Sequence, residues 1–482
     1  MSLTVSTLLF ATMASTGAAK TVRVTQFGAV PNDGRDDMPA FQRALAALPS
    51  GGTLVVPAGT YEIDQTRETG SWARKSFVMP RSNTKIMGQG AVRIRVKGFG
   101  QPTFLLVDTN RVTFENLTFV FAGPRPADPR NLDSIPWHKL RQIMGWNVPF
   151  NYNTSTFSAI IAGAGADRTL IKNCKFVSER LAKGKAAYTF VHFIGNRDTS
   201  LARNNVMEDV EFDGFTFAVQ ASNQDGMVMR RIRAKTDDSD GQYGHVLYLA
   251  TPSDPLYARW SKNLLITDIY DEGTTVNPGL WPGHTLKFRC VRDSLVQNIY
   301  SKRTAGPLTY FGAINTKTRN ITADARGITR IYFEGQGLVQ LLAPYENTKD
   351  GQAIDMASFG NSFESMTFYG AENVNVTFLE LGIGTVGGPA DRVKNNTFKG
   401  LIQYPKNEFQ ATNPMEGVNN TVEGKTFWSK SPNIVLFVAN LTGMAARNRL
   451  NWRVVGTSRA EVGMGDQAKF LGNTYTIAYV DQ

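Results

Sequence analysis

A chain of 482 residues with 42% hydrophobic residues and 44 glycines can bury a large core, which excludes the apolar-poor composition of a disordered polypeptide. Its net charge of +11 is spread along the chain without a run of Lys or Arg; this suits attraction to a polyanion and speaks against a dedicated nucleic-acid arm. Two cysteines exclude a disulfide scaffold, and with four histidines they show no zinc-ligand spacing.

Residues 1–19 hold a short apolar stretch, Leu3 to Ala14, followed by small residues up to Ala19. They are expected to be a secretory signal, too short to span a membrane, giving a secreted or periplasmic protein. Val22 to Val30 reads as a strand, and Asp36 and Asp37 as helix-capping carboxylates. Met38, Phe41, Leu45 and Leu48 then share one helix face. Such a helix could cover the open apolar end of a stacked β structure. Thr53 to Ile63 reads as strand, turn and strand.

The stretch QFGAVPNDGRDDMPAFQRALAALPSGGTLVVPAGTYEI, with MPRSNTKIMGQGAVRI at 79–94, resembles the opening of the pectate-lyase superfamily domain of rhamnogalacturonase and epimerase type, a domain also found in bacteriophage tailspikes. The resemblance implies an all-β, single-stranded right-handed parallel β-helix acting on polysaccharide. It does not fix the reaction, because hydrolases, lyases, epimerases and pure binders share the fold.

From about Phe104 to Phe398 one phrase recurs: alternating apolar residues, a turn often holding Asn or Asp, then apolar-x-apolar again. Val206 to Phe212, Val228 to Arg233, Leu265 to Tyr270 and Leu295 to Tyr300 are examples. Alternation at period 2 makes each phrase strand, and a fixed period marks a solenoid whose coils pair in parallel. Asn and Asp suit a left-handed corner residue. Cys174 and Cys290 fall several coils apart, so buried unpaired thiols are expected. Residues 121–155 interrupt the repeat with prolines and aromatic residues, a candidate groove wall. The organisation expected is a signal at 1–19, a β-helix with an N-terminal capping helix over 20–430, and a strand-rich C-terminal cap over 431–482.

GHVLYL and GHTLKF are aligned as equivalent strands on successive coils. With Leu247, Leu249, Leu286 and Phe288 inward, Tyr248, Lys287 and Arg289 point outward. His245 and His284 lean inward at the strand starts. Inserted segments at 251–260 and 271–283 flank this face, with Tyr257, Trp260 and Trp281 near their ends. The substrate-binding candidates are His245, His284, Tyr257, Trp260, Trp281 and, on the next aligned strand, Tyr310.

Two chemistries fit. Hydrolysis of a glycosidic bond uses a pair of carboxyl groups, which Asp237, Asp238 and Asp240 could supply, or those carboxylates could bind calcium. Polygalacturonase-type motifs are present only at the wrong spacing, so their catalytic roles are not carried over. β-Elimination on a uronic acid uses a base and cations at the developing enolate; Lys287 and Arg289 share a face, and Tyr248 one coil away could protonate the leaving oxygen. Metal ligands are not assigned, and a calcium requirement stays open. The expectation is an exported enzyme cleaving an acidic polysaccharide, with elimination ahead of hydrolysis. A non-catalytic exopolysaccharide binder and a tailspike-like or adhesin module are the rivals, and the assembly is a monomer or a homotrimer.

Overall fold

The computed structural model describes residues 20–65, 78–97, 102–122, 159–163, 165–179, 187–195, 200–235, 245–250, 259–273, 284–303, 306–326, 337–342, 345–347, 353–369, 376–382, 392–403, 409–415, 417–427, 434–438, 445–455 and 472–480. The alternating phrases form strands stacked in parallel, coil on coil, in a right-handed β-helix. Val206–Asp213 lies in register on Val228–Lys235, then come Leu265–Glu272, Leu295–Lys302, Lys317–Asp324 and Ser362–Tyr369. A second ladder stacks Ala187–Phe193, Phe215–Ser222, His245–Ala250, His284–Arg292, Gly306–Ile314 and Gly337–Leu342. Short strands such as Ala202–Arg203, Gln224–Asp225 and Ser261–Lys262 build a third side.

In-register stacking places like residues above one another, and the core records this. The rings of Phe119, Phe176 and Phe212 stack coil to coil at 5.1 and 5.3 Å between centroids. Phe288 and Tyr310 stack at 5.0 Å further along. The expected left-handed corner is present: Asn116, Asn173, Asp209, Arg231, Asp268, Asn298 and Asn320 all have φ between 50° and 57°. Their side chains join across coils; the Asn298 amide donates to Asp268 at 2.9 Å and that of Asn320 to Asn298 at 3.1 Å. Arg231, less suited to this backbone, has its guanidinium 2.6 Å from the Asp209 carboxylate.

A second left-handed corner, not separated from the first in the sequence, runs through Asn204, Asn263, Asp293, Asn315, Asn395 and Asn419. On some coils an inward-facing Asn follows it. The side-chain oxygen of Asn396 accepts the Asn361 backbone N–H at 3.1 Å, that of Asn420 accepts Asn396 at 3.0 Å, and that of Asn448 accepts Asn420 at 2.8 Å. These buried amides bond from coil to coil, which satisfies polar groups that would otherwise be costly inside.

That ladder carries the coil past residue 430. Thr421–Phe427 pairs in parallel with Arg449–Val455, which pairs with Thr474–Val480. The strands after 430 therefore continue the stack, where a separate cap was expected. Their less regular alternation hid them, because the asparagine ladder replaces apolar residues at one corner.

At the other end, Met38–Ala46 is a helix, and Met38, Phe41, Leu45 and Leu48 are all buried in the core cluster. Phe41 meets Tyr61 and Phe104 edge-on at 5.9 and 6.4 Å, so the helix covers the first coil as expected. Two details differ. The expected strand from Val22 shortens to Thr21–Arg23 and passes into a 3-10 turn, Val24–Phe27. The Asp37 carboxylate does not cap the helix; it accepts the backbone N–H of Val30 at 3.0 Å and of Glu62 at 3.1 Å, pinning the turn to the first long strand. Cys174 and Cys290 are buried and not joined in a disulfide, and desolvation pushes the Cys174 thiol up to about 12.

Candidate functional site

The second ladder builds the site. Leu247, Leu249, Leu286 and Phe288 fill the core, so the alternating Tyr248, Lys287 and Arg289 face outward. Tyr248 is paired directly with Lys287 on the next coil. The Lys287 ammonium lies between two rings, 5.3 Å from the centroid of Tyr248 and 5.1 Å from that of Phe311. The Arg289 guanidinium is 5.5 Å from the same Phe311 ring. All three distances fall within cation–π range, which helps to orient the two cations. Trp260 and Phe311 pack against the same buried pair, Cys290 and Met356.

Tyr248 and Lys287 belong to a longer outward column whose register reads His192, Gln220, Tyr248, Lys287, Thr309, Gln340. His192, Gln220, Thr309 and Gln340 are buried, and the Thr309 hydroxyl donates to Gln340 at 2.9 Å. Burial alone lowers His192 to about 3, so it is a neutral imidazole at working pH.

His245 and His284 are buried as expected, but on the Tyr248 side of the sheet. Their rings stack at 5.7 Å, and His245 also lies 5.6 Å from the Tyr248 ring. His245 Nδ1 sits 3.0 Å from the backbone N of His284 and 2.8 Å from its carbonyl oxygen. The imidazole thus ties together the starts of the two strands that carry Tyr248 and Lys287. Desolvation lowers the His245 pKa well below its ordinary value, and the Lys287 charge adds to this. At 1% and 6% exposure His245 and His284 offer a substrate no surface, so the expected contact is corrected to one that positions the strands.

Tyr310 is also corrected. It is fully buried against Phe288, with its hydroxyl 2.8 Å from that of Thr318. The register that pairs Phe288 with Tyr310 pairs Arg289 with Phe311, so Phe311 is the ring on the outward face. The same period read in the sequence carries this, since Phe288 was assigned inward. Asp237, Asp238, Asp240, Tyr257 and Trp281, with most of the 121–155 segment, lie outside the described residues. Among the described residues no group of three or more His, Cys, Asp or Glu is placed to hold a metal ion. Beneath the ledge, the Thr285 hydroxyl donates to the buried Asp271 carboxyl at 2.7 Å and also meets Ser301.

Residues 21–238 match the family described as Rhamnogalacturonase A/epimerase, pectate lyase-like. Over these residues, a little under half of its length, the chain is similar to that family. It is a family of polysaccharide-active enzymes. The matched segment ends before Tyr248, so the ledge roles rest on geometry. Among solved structures, the catalytic domain of a GH87 alpha-1,3-glucanase is similar at 11% identity and a TM-score of 0.52, over 96% of this chain and 69% of that one. A Yersinia enterocolitica family 28 exopolygalacturonase aligns at 10% identity and 0.44, over 90% and 78%. The A-module of an Azotobacter vinelandii mannuronan C-5 epimerase aligns at 14% and 0.36, over 95% and 99%. None of the curated proteins matches the chain. Among the described residues no helix is long and apolar enough to cross a membrane.

Proposed function

We propose that the chain cleaves an acidic, uronate-containing polysaccharide by β-elimination at the Tyr248–Lys287–Arg289 ledge. The observation that carries this reading is the pair of outward cations beside a phenol on the adjoining rung, with Lys287 held between the Tyr248 and Phe311 rings. In this reaction a base takes the C5 proton, the electron pair becomes the C4–C5 double bond, and the C4–O bond breaks. Arg289 neutralises the uronate carboxylate, which acidifies the C5 proton and stabilises the enolate. Lys287, after giving its own ammonium proton to solvent, takes that proton, and Tyr248 gives its hydroxyl proton to the departing oxygen. The aromatic surfaces of Phe311 and Trp260 suit the apolar faces of sugar rings.

The test is incubation with a panel of acidic and neutral polysaccharides, followed by ultraviolet absorbance and product mass. Unsaturated uronate ends are the expected product. New reducing ends without unsaturation would replace elimination by hydrolysis, and no product from any polymer at high protein concentration would remove the enzymatic reading.

A further inference from the structure

We infer that the ledge seats the end of an acidic polysaccharide chain, not its middle, so that cleavage releases one or two sugars at a time. This rests on the ledge reading above and adds the mode of action. Six successive rungs of the outward column, from His192 to Gln340, are uneven in exposure. His192 is 0% exposed, Gln220 1%, Thr309 0% and Gln340 5%, whereas Tyr248 and Lys287 between them are only partly buried. In the neighbouring outward column Ser222 is closed at 1%, and Arg289 and Phe311 are partly open.

The open patch is therefore Tyr248, Lys287, Arg289 and Phe311. It spans two steps between rungs, roughly 10 Å by strand spacing. That length takes about two pyranose rings. A glycan running along the helix axis in both directions would pass over Gln220 and Ser222 on one side and over Thr309 and Gln340 on the other. None of these has surface to receive it, and Thr309 and Gln340 already bond to each other. Along the axis the patch is thus closed on both sides, and a chain bound here reaches it end-on.

The chemistry then says which end. In β-elimination the reacting uronate carries the departing chain on its own C4 oxygen. A terminal uronate held by Lys287 and Arg289 that still bears a chain on C4 is the residue at the reducing end. Its C5 proton leaves to the base, its C4–O bond breaks, and the released product is a small unsaturated sugar.

The experiment uses the full chain with polygalacturonate, alginate and polyglucuronate, each intact and after borohydride reduction of its reducing ends. For a polymer that is cut, unsaturated mono- or disaccharide from the earliest times, slow loss of viscosity, and an initial rate lowered about tenfold or more by end reduction are expected. Rapid viscosity loss with long mixed products, at equal rates on intact and end-reduced polymer, would overturn this inference and leave the ledge reading standing. Absence of product from all three, with Lys287→Ala binding each polymer as tightly as the parent chain does, would overturn both.

Discussion

The Thr285 hydroxyl donates to the Asp271 carboxyl at 2.7 Å inside the β-helix, two residues before Lys287 on the outer face of the same strand. Burial raises the Asp271 pKa from 3.8 to about 7. Between those values the folded chain keeps a proton that the unfolded chain has released. Stability therefore falls as pH rises from about 4 to about 7 and levels above it, by up to on the order of 4 kcal/mol from this group. Asp37, raised to about 6 mainly by burial, contributes with the same sign over a narrower window. Asp271→Asn should flatten the decline, measured as denaturant midpoint against pH. An unchanged slope would show that Asp271 does not titrate in this range.

The Asp37 carboxylate has two backbone donors, from Val30 and Glu62, and one amide oxygen cannot replace two carboxylate oxygens. Asp37→Asn should destabilise the N-terminal end by about 1–3 kcal/mol, because one buried N–H loses its acceptor. Urea unfolding monitored by tryptophan-independent circular dichroism checks this, with Asp33→Asn as a control that should change little.

Lys287→Ala and Arg289→Ala should each lower the rate of product formation by about 100- to 10,000-fold, the usual range for loss of an acid–base or charge-stabilising group. Tyr248→Phe should lower it with little change in stability. Tyr310→Phe should do the reverse: it strands the Thr318 hydroxyl, costs about 1–3 kcal/mol, and leaves the rate alone. Equal rate losses in Tyr248→Phe and Tyr310→Phe would mean that the ledge has been drawn on the wrong face.

Cys174 and Cys290 should be silent to a thiol-reactive dye in the folded chain and both react once it is unfolded. Early labelling of either would show that the coil around it opens locally.

The parallel coil was legible in the sequence because burial of one face imposes period 2 and stacking imposes a fixed repeat. Tyr248, Lys287 and Arg289 were legible for the same reason, since their neighbours Leu247, Leu249, Leu286 and Phe288 had to point inward. Phe311 was within reach of that period but was passed over for Tyr310, whose hydroxyl suggested a ligand and instead bonds to Thr318 inside. His245 and His284 were legible as buried, but not as a clasp between strands, because that depends on a 3.0 Å approach of ring to backbone. The coils after residue 430 were missed because Asn396, Asn420 and Asn448 fill one inner corner with amides, and an apolar pattern cannot reveal a polar ladder.

Asp209 and Arg231 occupy equivalent corners 22 residues apart. Excising 206–227 would fuse Asn205 to Val228 and lay Val228–Arg230 on Leu170–Lys172, since both now pair with Val206–Glu208 in the same phase. The protein would become one storey shorter, with His192 brought next to Tyr248 beneath an unaltered roof and foundation. Length in such an architecture is a quantity that genetic duplication or loss can adjust by the storey, without redesigning any single floor.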